Sequence, residues 1–205
     1  MTQATATDTR EVIIEAGWAC FRQYGLRKTT IVDIARAANV SRSTVYEYFN
    51  DKAAIVEASA EHYSTRFYRE MAKAMDRGTS LEDKLSRAAV FVTHARQIVA
   101  AETYFDEDEV SLLLTKNAAV LLRECGDFLS PYLAAAKLTG EIRRDLDIPA
   151  AGEWFARMLF SLFSTPSSTF DMDDEEAVDT FVRAHVVRGF ANDRVGRSRR
   201  AHDAP

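Results

Sequence analysis

The sequence predicts an all-α protein of about nine helices, with a three-helix head followed by a larger helical bundle. Two observations carry this. Gly and Pro together number only 12 of 205 residues (8 Gly, 4 Pro), too few for the closely spaced turns of an all-β fold. Apolar residues also recur at steps of three and four along most of the chain, and no stretch reads convincingly as an alternating strand. A composition 47% hydrophobic and 28% charged is that of a folded chain with a core.

Each element has its own local signal. In the first helix, Thr9 to Tyr24, the residues Ile13, Ala16, Cys20, Phe21 and Tyr24 share a face, and Gly25 supplies a left-handed stop. Thr30 opens the second helix, and Asp33 completes a Thr-x-x-Asp capping pattern. Ile31, Ile34, Ala35 and Ala38 form its apolar face. Asn39 tolerates positive φ, and Ser41 caps a third short helix through Tyr46. Asn50 or Asp51 caps a long helix from about Lys52 to Asp76, striped by Val56, Ala60, Tyr63, Phe67, Met71 and Met75.

Gly78 breaks that helix and Ser80 caps the next, where Leu81, Leu85, Ala88, Val92, Ala95 and Val99 form a packing seam. Val110–Thr115 and Ala118–Leu133 read as further helices, with Gly126 and Pro131 leaving the length of the second open. Gly140 to Ile148 is a loop or short turn. Pro149 suits the first turn of a helix to about Thr165, closed by Pro166. Asp173, Asp174, Glu175 and Glu176 place negative charge at the start of a last helix. Its apolar positions are Val178, Phe181, Val182, His185, Val186 and Phe190. The expected division is a head over 1–57, a bundle over 58–192 and a polar, disordered tail over 193–205.

Charge and chemistry narrow the function. A net charge of −5 means that nucleic-acid binding would need a local patch, not a polycationic chain. Residues 1–57 are balanced, but Arg27, Lys28, Arg42 and Lys52 can share one face. Two cysteines, Cys20 and Cys125, are too few for a disulfide scaffold and suit a reducing cytoplasm, Cys20 reading as core. No apolar run approaches membrane-spanning length, and the opening MTQATATD has neither half of a signal peptide. There is no phosphate loop, nucleophile elbow or His-Glu-x-x-His pair, so no metal or cofactor is expected. The acidic run Asp106 to Glu109 reads as a solvated first turn, not a metal site.

The chemistry-bearing feature is the pair of short helices. Ile34, Ala38, Val40, Val45 and Phe49 can hold the pair from inside, which turns Arg42, Ser43, Thr44, Tyr46 and Tyr48 largely outward. A helix of this width fits the major groove of B-DNA. Arg42 can bond a guanine bidentately, and Thr44 offers a hydroxyl and a methyl. Tyr46, Tyr48 and Lys52 suit phosphates, Tyr46 or Tyr48 alternatively being partly core. Thr30, at the start of the preceding helix, adds a hydroxyl and backbone N–H groups for another phosphate, and the cap Ser41 is counted among the DNA-binding residues.

The run from Thr29 to Ala58, TTIVDIARAANVSRSTVYEYFNDKAAIVEA, resembles the DNA-binding signature of the TetR (tetracycline-repressor-like) family of bacterial regulators. The matching features are the pair Thr29/Thr30, the Ile34–Ala38 core, Val40–Ser41, Thr44–Tyr46, Tyr48–Phe49 and Lys52, with Gly25 ahead of them. Asn39 stands where Gly is usual. The resemblance implies a homodimer on a palindromic operator, most often as a repressor, released when a small effector binds the second part of the chain. By family precedent the effector would move the helix over 52–76 and change the separation of the two reading helices.

The second part supports these implications unevenly. Trp154 to Phe163 is bulky and apolar on every side, so one face can meet its own bundle and the other a partner subunit. With the last helix it would build a dimer interface from the helices near 149–165 and 174–191. Candidate effector contacts are His94, Tyr104, Phe105, Asn117, Phe128 and Trp154, polar or aromatic groups on otherwise apolar faces, and the effector expected is apolar or aromatic. His94 as an ordinary bundle histidine and Trp154 as core or interface are the alternatives. A constitutive DNA-binding dimer without effector, or a helical-bundle enzyme or carrier, are the competing readings of the whole.

Overall fold

The computed structural model describes residues 2–102 and 118–191. The expected helix over Val110–Thr115, the acidic run Asp106–Glu109 and the tail 193–205 lie outside the described residues. The helices are α1 (Thr2–Tyr24), α2 (Ile31–Ala37), α3 (Arg42–Tyr48), α4 (Lys52–Met75), α5 (Leu81–Glu102), α6 (Ala118–Thr139), α7 (Ile148–Ser164) and α8 (Glu175–Phe181). A single π turn, Val182–Val186, and a 3-10 turn, Val187–Phe190, continue from α8. The described residues divide into two packing units, 2–69 with 101–102 and 70–100 with 118–191.

In the first unit, Ile13, Ile14, Phe21, Ile34, Val45, Phe49 and Ile55 are packed into one core. α1 ends where Gly25 turns left-handed (φ 83°), its N–H donating to the Phe21 carbonyl at 2.9 Å. Thr29 is buried, its hydroxyl reaching the carbonyls of Gly25 (2.8 Å) and Cys20 (3.0 Å). Burial raises the Cys20 thiol above its ordinary pKa, with Asp33 adding to the shift, which fits a core cysteine.

The start of α4 corrects the expected stripe. Ile55, Ala58 and Ser59 are buried, whereas Val56 is half-buried and Ala60 exposed. The buried face contains a polar residue: Ser59 Oγ donates to the Ile14 carbonyl at 3.2 Å, so hydropathy alone misplaces the stripe by about one position. Trp18 of α1 stacks on Tyr63 of α4 with centroids 4.3 Å apart.

The second unit keeps the first four residues of the predicted seam of α5, Leu81, Leu85, Ala88 and Val92, all buried, whereas Ala95 is half-buried and the Val99 side chain lies outside what is described. α6 runs on past the expected end at Leu133 to Thr139, and Gly126 and Pro131 lie inside it. Pro131 offers no N–H to the helix ladder, and the neighbouring Ser130 hydroxyl donates to the Gly126 carbonyl at 2.9 Å. Leu133 and Ala136, buried beyond the proline, offset the interruption, and Gly140 (φ 80°) ends the helix. Cys125 is buried here, which pushes its thiol up to about 12.

α7 begins as expected, with Pro149 in its first turn. Asp147 caps it by accepting from the Ala150 N–H at 2.8 Å. Its inner face is Ala151, Gly152, Phe155, Ala156, Leu159 and Leu162. α6 and α7 pack against each other through glycines: a Cβ on Gly152 would lie 3.1 Å from the Gly126 carbonyl oxygen.

The last helix is corrected in register. Val178 and Val182 are fully buried as expected, but His185 is exposed and Val187 is buried. In the π turn the Val187 N–H bonds the Val182 carbonyl five residues back, and this one-residue insertion rotates the residues beyond it. Arg183 ties this segment to α5. Its guanidinium meets Asp179 at 2.7 Å and Asp83 at 2.8 Å, holding both carboxyls below the usual carboxylate range. No strand element occurs among the described residues; the nearest feature is an isolated bridge between Ile142 and Ala191.

Candidate nucleic-acid interface

The geometry begins with α2. Thr30 caps it with both halves of a capping box: the Asp33 N–H donates to Thr30 Oγ1 (3.3 Å), and the Thr30 N–H donates to Asp33 Oδ2 (3.0 Å). The Thr30 hydroxyl and N–H hold the Asp33 carboxyl below its ordinary pKa. Thr30 itself is exposed. Asn39 adopts φ 55° in the turn, the left-handed conformation the residue tolerates, and the chain re-enters a helix at Arg42.

α3 is two turns long and is fixed from one side. Val45 is fully buried, Phe49 nearly so, and Val40 and Tyr48 pack against the same core. The opposite side is open: Ser41, Arg42, Ser43 and Tyr46 are exposed and Thr44 is half-buried. Ser41 caps the helix, its Oγ accepting from the Thr44 N–H at 3.0 Å. The hydroxyls of Ser43 (2.6 Å) and Thr44 (2.9 Å) gather round it. Arg42 lies over the Tyr46 ring at 5.4 Å and donates to its hydroxyl at 3.3 Å, a cation–π pair on the outer face. The four expected groups Arg42, Ser43, Thr44 and Tyr46 are therefore brought together. Tyr48 is the tyrosine that shares the core.

Lys52 stands elsewhere than expected. Its ammonium donates to the carbonyls of Leu26 (2.9 Å), Thr29 (3.0 Å) and Arg27 (3.4 Å), so its three donors are directed at backbone and not outward. The acceptors precede it by more than twenty residues, and no local pattern could have shown them. Arg27 and Lys28, on the loop so held, are exposed. Glu47, also exposed on α3, adds an acidic group to the head that the motif does not call for.

Three of the six candidate effector residues, His94, Phe128 and Trp154, are among the described residues. His94 is exposed on α5. Phe128 is half-buried on α6 with Tyr132 beside it, at a centroid distance of 5.8 Å. Trp154 is 39% exposed and meets Phe190 edge to face at 5.4 Å. Tyr104, Phe105 and Asn117 lie outside the described residues. One open hollow of about 380 Å³ lies in the head, lined by Gln23, Tyr24, Lys28 and Asp33, a polar lining unlike the apolar effector site expected. Among the described residues no cluster of His, Cys, Asp or Glu could hold a metal, and no helix is long and apolar enough to cross a membrane.

Comparison with known proteins adds an independent line. Residues 13–59 match the family model described as bacterial regulatory proteins, tetR family. The probable HTH-type transcriptional regulator ArpR of Pseudomonas putida is 30% identical over 166 residues, 73% of this chain and 76% of that protein. The probable acrEF/envCD operon repressor of Escherichia coli K12 is 49% identical over 51 residues, 25% of this chain and 23% of that protein. Among solved structures, the transcriptional regulator FadR from Bacillus subtilis, in complex with stearoyl-CoA, superposes with a TM-score of 0.61 at 19% identity, covering 86% of this chain and 98% of that one.

Proposed function

The chain belongs to the tetR family of bacterial regulatory proteins and is a transcriptional regulator; within that family we propose that it is a ligand-responsive repressor that binds a palindromic operator as a homodimer. One observation carries the reading: α3 is locked through Val45 and Phe49 while Ser41, Arg42, Ser43, Thr44 and Tyr46 form its outer face. Guanidinium, hydroxyls and a phenol are the donors and acceptors that base edges and phosphates require. Thr30 and Tyr48 are secondary candidates for phosphate: the Thr30 hydroxyl and N–H already donate to Asp33, and Tyr48 is half-buried against the core. A dimer presents two such faces, one helical turn apart along the duplex.

The partner subunit would pack on the outer side of α7 and the segment over 174–191, a reading supported by Trp154, a large apolar side chain left 39% exposed there. The effector would be a small apolar or aromatic molecule, with half-buried Phe128 as a candidate contact. α4 is one unbroken helix from Lys52 to Met75, so a displacement at its far end reaches the head. The ligand acts only by its different affinity for the two conformations.

A gel shift with DNA from upstream of the protein's own gene tests the reading. The wild type should bind in a salt-sensitive way, and Arg42→Ala with Tyr46→Ala should abolish the shift. Unaltered binding by the double variant would overturn it.

A further inference from the structure

Resting on the DNA-binding reading above, we propose that Lys52 is a positioning residue of the interface: it clamps the loop between α1 and α2 and does not itself meet a phosphate. The residue lies at the first position of α4, where a lysine that projected into solvent would be a natural phosphate contact. Instead the ammonium sits among three carbonyl oxygens, those of Leu26, Thr29 and Arg27, at 2.9, 3.0 and 3.4 Å. An ammonium has three N–H donors, and these acceptors account for all of them. To reach a phosphate the side chain would have to leave three carbonyls, two of them in part-buried bonds.

The clamped carbonyls bracket what the loop presents. Arg27 and Lys28 lie between them with exposed side chains, and Thr30, the exposed cap of α2, comes directly after. From the other side Thr29 anchors the same loop, its hydroxyl on the carbonyls of Cys20 and Gly25 and its N–H on the Gly25 carbonyl at 3.2 Å. The loop is thus held at successive peptide groups while its two cationic side chains are exposed. Convergent acceptors of this kind suit the compact, tetrahedral ammonium. They do not suit a planar guanidinium, so an arginine at 52 would keep the charge and lose the clamp.

That difference gives the test. Wild type, Lys52→Met and Lys52→Arg are titrated with the same upstream DNA fragment across a series of salt concentrations. A clamp predicts that both variants bind on the order of tenfold more weakly, through loss of charge-assisted bonds that order the loop. Their plots of log K against log salt should run parallel to that of the wild type, because no phosphate contact has been removed. A direct phosphate contact predicts the opposite: Lys52→Met loses about one unit of slope while Lys52→Arg behaves like wild type. That result, or wild-type binding by both variants, overturns the proposal. Amide exchange in the absence of DNA supplies the second measurement. The Thr29 amide should exchange faster in both variants, and unchanged protection would overturn the clamp even if no DNA fragment were bound. Failure of the wild type to bind any fragment would instead count against the DNA-binding reading. If Lys52→Met does not fold, Lys52→Arg alone carries the comparison.

Discussion

Replacing Gly17 by Ala sets two effects of known size against each other. Gly17 lies in the interior of α1, where alanine would be favoured by about 1 kcal/mol on helix propensity. The added Cβ, however, would lie 2.7 Å from Ile55 Cγ2 of α4, with the Phe21 ring and Ser59 Oγ both at 3.6 Å. Ile55 is completely buried, and a β-branched side chain in a helix has little freedom to turn its methyl aside. Ser59 is held by its bond to Ile14, so α1 and α4 must separate. Overpacking of this kind costs about 1–3 kcal/mol, so the net expectation is a loss of roughly 0–2 kcal/mol. The decisive background is Ile55→Ala, which removes the obstructing methyl at its own cost of about 2–5 kcal/mol. There Gly17→Ala should reverse sign and stabilise by about 1 kcal/mol, giving a coupling of about 1–3 kcal/mol. Urea denaturation followed by the fluorescence of Trp18, which belongs to the same unit, measures all four corners of the cycle. Gly17→Ala having the same effect in both backgrounds would refute the steric argument.

Two further predictions concern the second unit. Asp83 and Asp179 have carboxyls held low by Arg183, so the folded chain binds fewer protons than the unfolded one; their contribution is present above about pH 4 and is lost as pH falls through the folded values. Denaturation midpoints should fall below about pH 4, and Asp83→Asn should cost about 1 kcal/mol at about pH 7 and show a shallower acid decline, equal declines counting against the network. Gly152→Ala should destabilise the α6–α7 pair by about 1–2 kcal/mol despite its better helix propensity, because the obstructing atom is a backbone carbonyl; a stabilised variant would show that the helices adjust freely.

What the sequence disclosed was mostly local. The Thr30–Asp33 box, the Ser41 and Ser80 caps, the left-handed Gly25 and Asn39, and Pro149 in the first turn of α7 rest on neighbours within four residues, and each stands where its pattern placed it. Features that stayed hidden depend on partners far along the chain or on insertions without a composition signal. The buried face of α4 includes Ser59 because a carbonyl of α1 lies opposite. α6 continues through Pro131 because residues beyond it are buried. A π turn at Val182 exchanges His185 for Val187 on the inner face, and nothing in the residue types announces it. At the interface the outward set on α3 was legible from the turn spacing of its buried partners. The task of Lys52 was not, since residue type alone does not distinguish a cation for phosphate from a cation for carbonyls.

The most direct measurement of the central claim, that α3 reads base edges in the major groove, is protection of guanine N7 from methylation on the upstream fragment. Guanine N7 faces the major groove, so wild-type protein should protect guanines in two half-sites about one helical turn apart, and the Arg42→Ala, Tyr46→Ala variant should protect none. A bound complex that leaves every guanine N7 open to methylation would contradict the account.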